Sequence, residues 1–285
     1  MIVFLNDKFV PLEKAKVSVF DRGFLFADGV YEFIRTYNNK LFEFEAHINR
    51  LKYSLNELKI NFNDFDKIKD IILKLAVINN FTEKEFEVYI QITRGYQFPR
   101  KHNFNEDINP TVFIFLNESE NLRDKLNKGV KVILEEDKRW NRCDIKSISL
   151  IPAVLAKTKA LKSSAFESIF TKDNKILEGS HTNFFGVYKN EVYTAPLSNL
   201  ILSGITRKVV IKLCRANNIK VNEEYIKLDE LNFFEEFFIT GTKTEITPVV
   251  QINDKLVNNG MPGKLTSIIQ KYFYDYINSQ RNSLT

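Results

Sequence analysis

Five short stretches of this 285-residue chain carry side chains suited to chemistry. In RCDIKSISLI, residues 142–151, Lys146 lies close to Ile145, Ile148 and Leu150, whereas most other lysines stand in polar, charged surroundings. Apolar surroundings disfavour an ammonium and make a lysine amine nucleophilic. The same spacing also describes a lysine snorkelling from a strand edge. In LEGSHTNFFGVY, residues 177–188, Glu178 precedes a glycine and a run of small polar groups. A buried glutamate there could face a cationic cofactor nitrogen; a turn-exposed glutamate is the plainer alternative. In ILSGITRKVV, residues 201–210, Ser203-Gly204 opens a helix whose free N–H groups, with the Thr206 hydroxyl, suit a phosphate. An ordinary helix cap uses the same residue types. In ITGTKTEITPV, residues 239–249, hydroxyls recur at Thr240, Thr242 and Thr244, as they also do in simple threonine-rich turns. Finally, Arg100-Lys101-His102 forms a basic triplet that reads either as an anion trap or as a solvated loop.

The elements that must position these groups alternate between strand and helix. Residues 30–37 and 86–92 alternate as strands, and TVFIFL at 111–116 reads as a buried one. Asn6-Asp7 and Asn38-Asn39 signal turns. Ile48, Leu51, Leu55 and Leu58 share one face of a helix over 46–59, and Ile68, Ile71, Ile72 and Leu75 one over 66–79. Residues 117–127 lack an apolar pattern and make a candidate linker. Beyond it, strands are expected at 130–134, 166–171, 183–188 and 191–194, with helices near 150–162, 203–217 and 263–278. The reading is an α/β (α+β) chain of two unequal domains, 1–120 and 121–285.

Composition narrows the classes. Hydrophobic residues make up 44% and charged residues 27%, so a sizeable core can form. No run approaches the roughly 18 apolar residues of a membrane span, and Asn6, Asp7 and Lys8 interrupt the start too early for a signal peptide. Cys143 and Cys214 are the two cysteines, which suits a reducing cytoplasm and, with three histidines, argues against a Cys/His metal site. The net charge of +5 comes from 41 basic against 36 acidic residues without a like-charge block, which argues against a nucleic-acid partner.

The order of these stretches resembles the fold-type IV, or class IV, aminotransferases. The spaced pattern Glu178-x-Ser180-x-x-Asn183-Phe184-Phe185, Val192-x-Thr194 and Leu202-x-Gly204-Ile205-x-Arg207 carries it. So do Asp21-Arg22-Gly23, Phe26-x-Asp28-Gly29-x-Tyr31-Glu32 and His47-x-x-Arg50-Leu51, so that nearly the whole chain is covered. The resemblance implies a homodimer of two-domain subunits that uses pyridoxal 5′-phosphate. It implies that Lys146 carries the cofactor and moves the proton, and that Glu178 keeps its ring nitrogen protonated. Arg50, Leu202, Gly204, Ile205, Thr206 and Thr242 are then cofactor-binding residues. TRGYQFPRKHNF, residues 93–104, looks most like the D-amino-acid branch of the family, in which Arg100 and His102 reach across from the partner subunit. With Tyr31 they would trap a substrate carboxylate, and a planar guanidinium suits that task.

Several positions depart from the D-amino-acid pattern. His181 and Thr182 stand where serines are common, Gly241 precedes Thr242 where a serine is common, and Phe33 is bulky beside Tyr31. They put the side-chain preference of the substrate in question. The alternatives are a branched-chain L-amino-acid aminotransferase, an aminodeoxychorismate lyase and a non-catalytic pyridoxal-phosphate-binding protein. Arg100-x-His102 argues against the first; the intact Lys146 and Glu178 argue against the last.

Overall fold

A computed structural model describes residues 1–123 and 127–280. The chain divides into two units: Met1–Glu120 with Ile145–Leu150, and Asn121–Asp144 with the described residues from Ile151 onward.

In the first unit, β1 (Ile2–Leu5), β2 (Lys8–Pro11), β3 (Gly29–Tyr37), β4 (Lys40–Leu41), β5 (Phe86–Thr93) and β6 (Thr111–Glu118) form one sheet. Its order is β2-β1-β6-β5-β3-β4, and every neighbouring pair is antiparallel. Two of its hairpins turn on asparagine-rich pairs with φ of 45° and 64° at Asn6-Asp7, and 51° and 62° at Asn38-Asn39. Asparagine and aspartate tolerate that left-handed region, which the tight hairpin turn demands at both central residues. A short helix, α1 (Arg22–Phe26), precedes β3, and α2 (Phe44–Glu57) and α3 (Phe65–Ile78) follow β4. On α2 the buried face is His47, Ile48, Leu51, Ser54 and Leu55, and on α3 it is Ile68, Ile72, Leu75 and Ala76. These stripes join Val30, Ile34, Val88, Ile90, Ile92, Ile114 and Leu116 in one apolar cluster. A fully buried leucine such as Leu51 contributes about 1.5–3 kcal/mol.

In the second unit, β7 (Val130–Glu136), β8 (Glu167–Lys172), β9 (Lys175–Gly179), β10 (Asn183–Tyr188), β11 (Glu191–Thr194), β12 (Val221–Glu223), β13 (Glu236–Gly241), β14 (Glu245–Ile252) and β15 (Lys255–Leu256) form a second sheet. Helices α4 (Ile151–Lys162), α5 (Ile205–Ala216) and α6 (Lys264–Ser279) accompany it. The strand path is β12-β11-β10-β13-β14-β7-β8-β9, and β9 also pairs with β10 through Glu178 and Asn183. Six strands therefore close on themselves. Their interior is filled by Val132, Ile169, Ile176, Phe184, Phe237, Ile239 and Val249.

Two expectations need correction. Residues 145–150 pair with the first unit although the sequence reading placed them in 121–285. Tyr31 N donates to the Lys146 carbonyl at 3.0 Å, Ile148 N donates to the Gly29 carbonyl at 3.0 Å, and Ser147 bridges Val30. Lys146 accordingly lies in an irregular segment beside β3, not at a strand end. The expected linker overlaps the end of β6, and its residues 124–126 lie outside the described residues.

Candidate active site

Lys146 is held by its own backbone. Its N–H donates to Ser54 Oγ on α2 at 3.1 Å, its carbonyl accepts from Tyr31, and its Nζ stands 4.1 Å from the centre of the Tyr31 ring. The Tyr31 ring is stacked in turn on Tyr89 at 5.8 Å. Burial first, and then the Tyr31 charge, push the Tyr89 phenol up to about 12, so the Tyr89 ring presents a neutral face at neutral pH.

Next to Tyr31, Glu32 is fully buried. It accepts from Arg50 Nε at 2.7 Å and Nη2 at 2.9 Å, and contacts His47 Nδ1 at 2.7 Å. Burial alone would raise its pKa, but the Arg50 charge and hydrogen bonds, followed by His47, hold it far below the usual carboxylate range. Burial lowers the pKa of His47, and its Nε2 is buried without a partner. The imidazole is therefore neutral and donates from Nδ1, so its contact with Glu32 is a hydrogen bond. Positions 47 and 50 share a helix face one turn apart, which lets one carboxylate orient both. Glu32→Ala would remove a buried carboxylate from the Arg50 guanidinium and the His47 ring. We expect it to cost about 3–5 kcal/mol, read as a lower denaturant midpoint. Because the Glu32 pKa is lowered on folding, its stabilisation is complete above about pH 4.3 and is withdrawn as pH falls below that.

The loop bearing Arg100 and His102 is tied down by Arg22. This buried guanidinium pairs with Asp28 at 2.9 Å and donates to the carbonyls of Lys101 at 2.8 Å and His102 at 3.1 Å. Asp21 caps α1 by accepting from Gly23 N and from the hydroxyls of Thr93 and Thr111. Arg100 stands 4.4 Å from the Phe26 ring centre, and the His102 ring lies 5.6 Å from the same ring. Within one chain, then, the described side-chain contacts of Arg100 and His102 are with Phe26, and both residues are exposed.

In the second unit Glu178 ends β9 as a buried carboxylate. Its Oε1 accepts from Arg139 Nη1 at 2.6 Å, and its Oε2 accepts from Asn183 Nδ2 at 3.0 Å and from Leu202 N at 2.9 Å. Arg139 is itself braced by Asp137 and by the Leu200 carbonyl. Burial pushes Glu178 up to about 7, with Arg139 working against the shift. Such a site favours its carboxylate only when more positive charge is close by.

Helix α5 begins at Ile205 with Gly204 as its N-cap. A Cβ at position 204 would collide with Asn183 Oδ1, so only glycine lets the helix start this close to β10. The first N–H groups of a helix have no partner within it, so those of Ile205 and Thr206 are available to an anion. Thr240 and Thr244, flanking the β13–β14 turn, each bury a hydroxyl oxygen that lacks a hydrogen-bond partner. Thr242, the residue singled out in the sequence, is half-buried between them. Other residues of the spaced pattern serve the fold: Arg207 ties α5 to the Ala195 carbonyl and Glu223, and the Thr194 hydroxyl donates to the Phe184 carbonyl. Sequence reasoning missed Arg139 and Asp137 as site residues, and for Arg139 no spacing signal links it to Glu178.

In the second unit a helix start and orphaned buried hydroxyls suit a phosphate, and a buried carboxylate needing positive charge suits a protonated ring nitrogen. In the first unit the Lys146 amine suits an aldehyde.

Comparison with known proteins is consistent with this chemistry. The family model for class IV amino-transferases matches residues 29–252. A D-alanine aminotransferase of Staphylococcus aureus is 38% identical over 279 residues, covering 97% of this chain and 98% of the relative. A D-alanine aminotransferase of Bacillus licheniformis is 37% identical over 281 residues, covering 98% of each. A solved branched-chain amino acid aminotransferase of Escherichia coli superposes with a TM-score of 0.89 at 23% identity, covering 97% of this chain and 94% of that one.

Proposed function

The chain belongs to the class IV aminotransferases, and on that premise we propose that it moves the amino group of a D-amino acid, of the D-alanine or D-glutamate class, to a 2-oxo acid. The cofactor is pyridoxal 5′-phosphate, which when bound supplies an electron sink for the charge left on a substrate Cα after its proton departs. The observation that carries the reading is the buried Glu178, pushed up to about 7 and held by Arg139, Asn183 and Leu202 N.

The chain's own groups divide the work. Lys146 Nζ would hold the cofactor at rest, and its freed amine would then move the proton away from the substrate Cα. Glu178 keeps the ring nitrogen protonated through its opposite charge. Arg50, Thr206 and Thr242, with the N–H groups of Ile205 and Thr206 behind Leu202 and Gly204, hold the phosphate. Glu32 fixes the plane of the Arg50 guanidinium and so its aim.

The substrate carboxylate is taken by Tyr31 together with Arg100 and His102 of a second copy. Support for a homodimer comes from large apolar side chains left exposed in one chain, including Phe24 at 75% and Phe98 at 63% near that loop, and Ile151 at 75% and Leu155 at 64% on α4. No described helix is long and apolar enough to cross a membrane, and the free, buried Cys143 and Cys214 support a cytoplasmic setting.

Purified enzyme supplied with D-alanine and 2-oxoglutarate should release pyruvate; failure to do so with any D-amino acid would contradict the proposal. Loss of a charged hydrogen-bond partner costs a few kcal/mol, so Arg100→Ala should raise KM for D-alanine about ten- to hundredfold. Cofactor content should stay near that of the wild type, because Arg100 is not among the phosphate-holding groups.

A further inference from the structure

The 180–182 turn carries a charged cluster that the reaction above leaves unused. Glu167, on β8, has no exposed surface. It accepts from Ser168 N at 2.9 Å, from Ser180 Oγ at 2.6 Å and from Thr182 Oγ1 at 3.2 Å. Its Oε2 also lies 2.7 Å from His181 Nδ1, and Ser180 Oγ is 3.2 Å from the same nitrogen. Burial would raise the Glu167 pKa, but His181 and its neighbours bring it below the ordinary value. Lys157 adds positive charge, donating from Nζ to the Phe166 carbonyl beside the His181 ring.

The place of this cluster matters as much as its chemistry. His181 stands three residues after Glu178 and two before Asn183, in the turn that joins β9 to β10. The same turn borders the β13–β14 turn: a Cβ on Gly241 would meet the His181 carbonyl and Thr182 Cγ2 at 3.5 Å each. One end of the closed sheet thus gathers Glu178, the 180–182 turn and the 240–244 turn, with Gly204 packed on Asn183. The His181 side chain is 41% exposed there while its Nδ1 edge is fixed by the buried Glu167. With Nδ1 engaged by Glu167, the other ring nitrogen, Nε2, is left to meet a ligand.

In the reading above the phosphate falls to Arg50 and the α-carboxylate to Tyr31 with Arg100 and His102 of a second copy, which leaves His181 without an assigned task. Building on the aminotransferase reading, the geometry points to His181, held by Glu167, as a specificity-determining residue that binds the distal carboxylate of a dicarboxylic amino acid or 2-oxo acid.

The test is equilibrium binding of two unreactive probes, glutarate and butyrate, to the holoenzyme by calorimetry, with cofactor content checked from its absorbance. Wild type should prefer glutarate. His181→Ser, which installs the residue common at this position in the D-amino-acid branch, should lower that preference tenfold or more. Glu167→Gln should lower it in the same direction, and His181→Arg, which keeps a cation, should retain most of it. An unchanged glutarate-to-butyrate ratio in His181→Ser would overturn the assignment, as would a wild type without preference. Turnover of D-alanine is read separately, so an enzyme inactive on D-amino acids would refute the reaction while the probe ratio still reports on His181.

Discussion

Lys146→Ala should abolish amino-group transfer, and borohydride treatment of the wild-type holoenzyme followed by peptide mapping should place the pyridoxyl label on Lys146. Both outcomes follow from the two tasks proposed for one amine, attachment of the cofactor and movement of the Cα proton. Nucleophilic attachment and general acid–base work each contribute orders of magnitude, the latter about 10²–10⁴-fold. Among the described residues, Lys146 is the lysine whose backbone is bonded to Tyr31 and Ser54. Folding should survive, because the contacts that hold the segment are made by its main chain and by Ile145 in the apolar cluster. A label on another lysine, or substantial turnover by Lys146→Ala, would refute the assignment.

Glu178→Gln should retain the cofactor yet slow turnover by about 10²–10³-fold, the scale of losing one preorganised electrostatic partner. The amide is nearly isosteric and can still accept from Asn183, Leu202 N or Arg139, so the pocket keeps its shape. What disappears is the negative charge proposed to face a ring nitrogen. The cofactor-free protein offers an independent readout. There the folded Glu178 titrates near 7 and an unfolded glutamate near 4.3, so the folded state holds the proton more tightly between those values. Stability of the apoprotein should therefore fall as pH rises from about 4.3 to about 7, and this component of the slope should vanish in Glu178→Gln. Near-normal turnover by Glu178→Gln would reduce the residue to a structural role in the β9–β10 pairing.

The parts of this architecture visible in the sequence are those governed by short-range rules. The asparagine turns at 6–7 and 38–39 announce themselves because few residues tolerate the left-handed backbone a tight hairpin requires. The stripes of α2 and α3 follow from one-sided burial, and Gly204 marks a helix start because nothing larger fits against Asn183. Long-range pairing was not legible. Nothing local tells that 145–150 leaves its flanking chain to pair with β3, or that β9 closes onto β10 through a single bridge. Glu32 looks like an ordinary outward residue of an alternating strand; only the approach of α2, which brings His47 and Arg50 to it, explains a carboxylate buried there. Arg139 was likewise invisible, since its tie to Glu178 spans 39 residues. The threonine run at 240–244 was noticed, but which hydroxyls are buried without partners depends on the pitch of the β13–β14 turn.

The central claim, that this aminotransferase acts on D-amino acids, is tested most directly by a half-reaction. The purified yellow holoenzyme is mixed with D-alanine and, separately, with L-leucine, and the visible absorbance of the lysine-bound cofactor is followed without any oxo acid. The account predicts rapid loss of that absorbance with D-alanine and little or none with L-leucine. Faster loss with L-leucine than with any D-amino acid would contradict it and move the chain to the branched-chain L-amino-acid class.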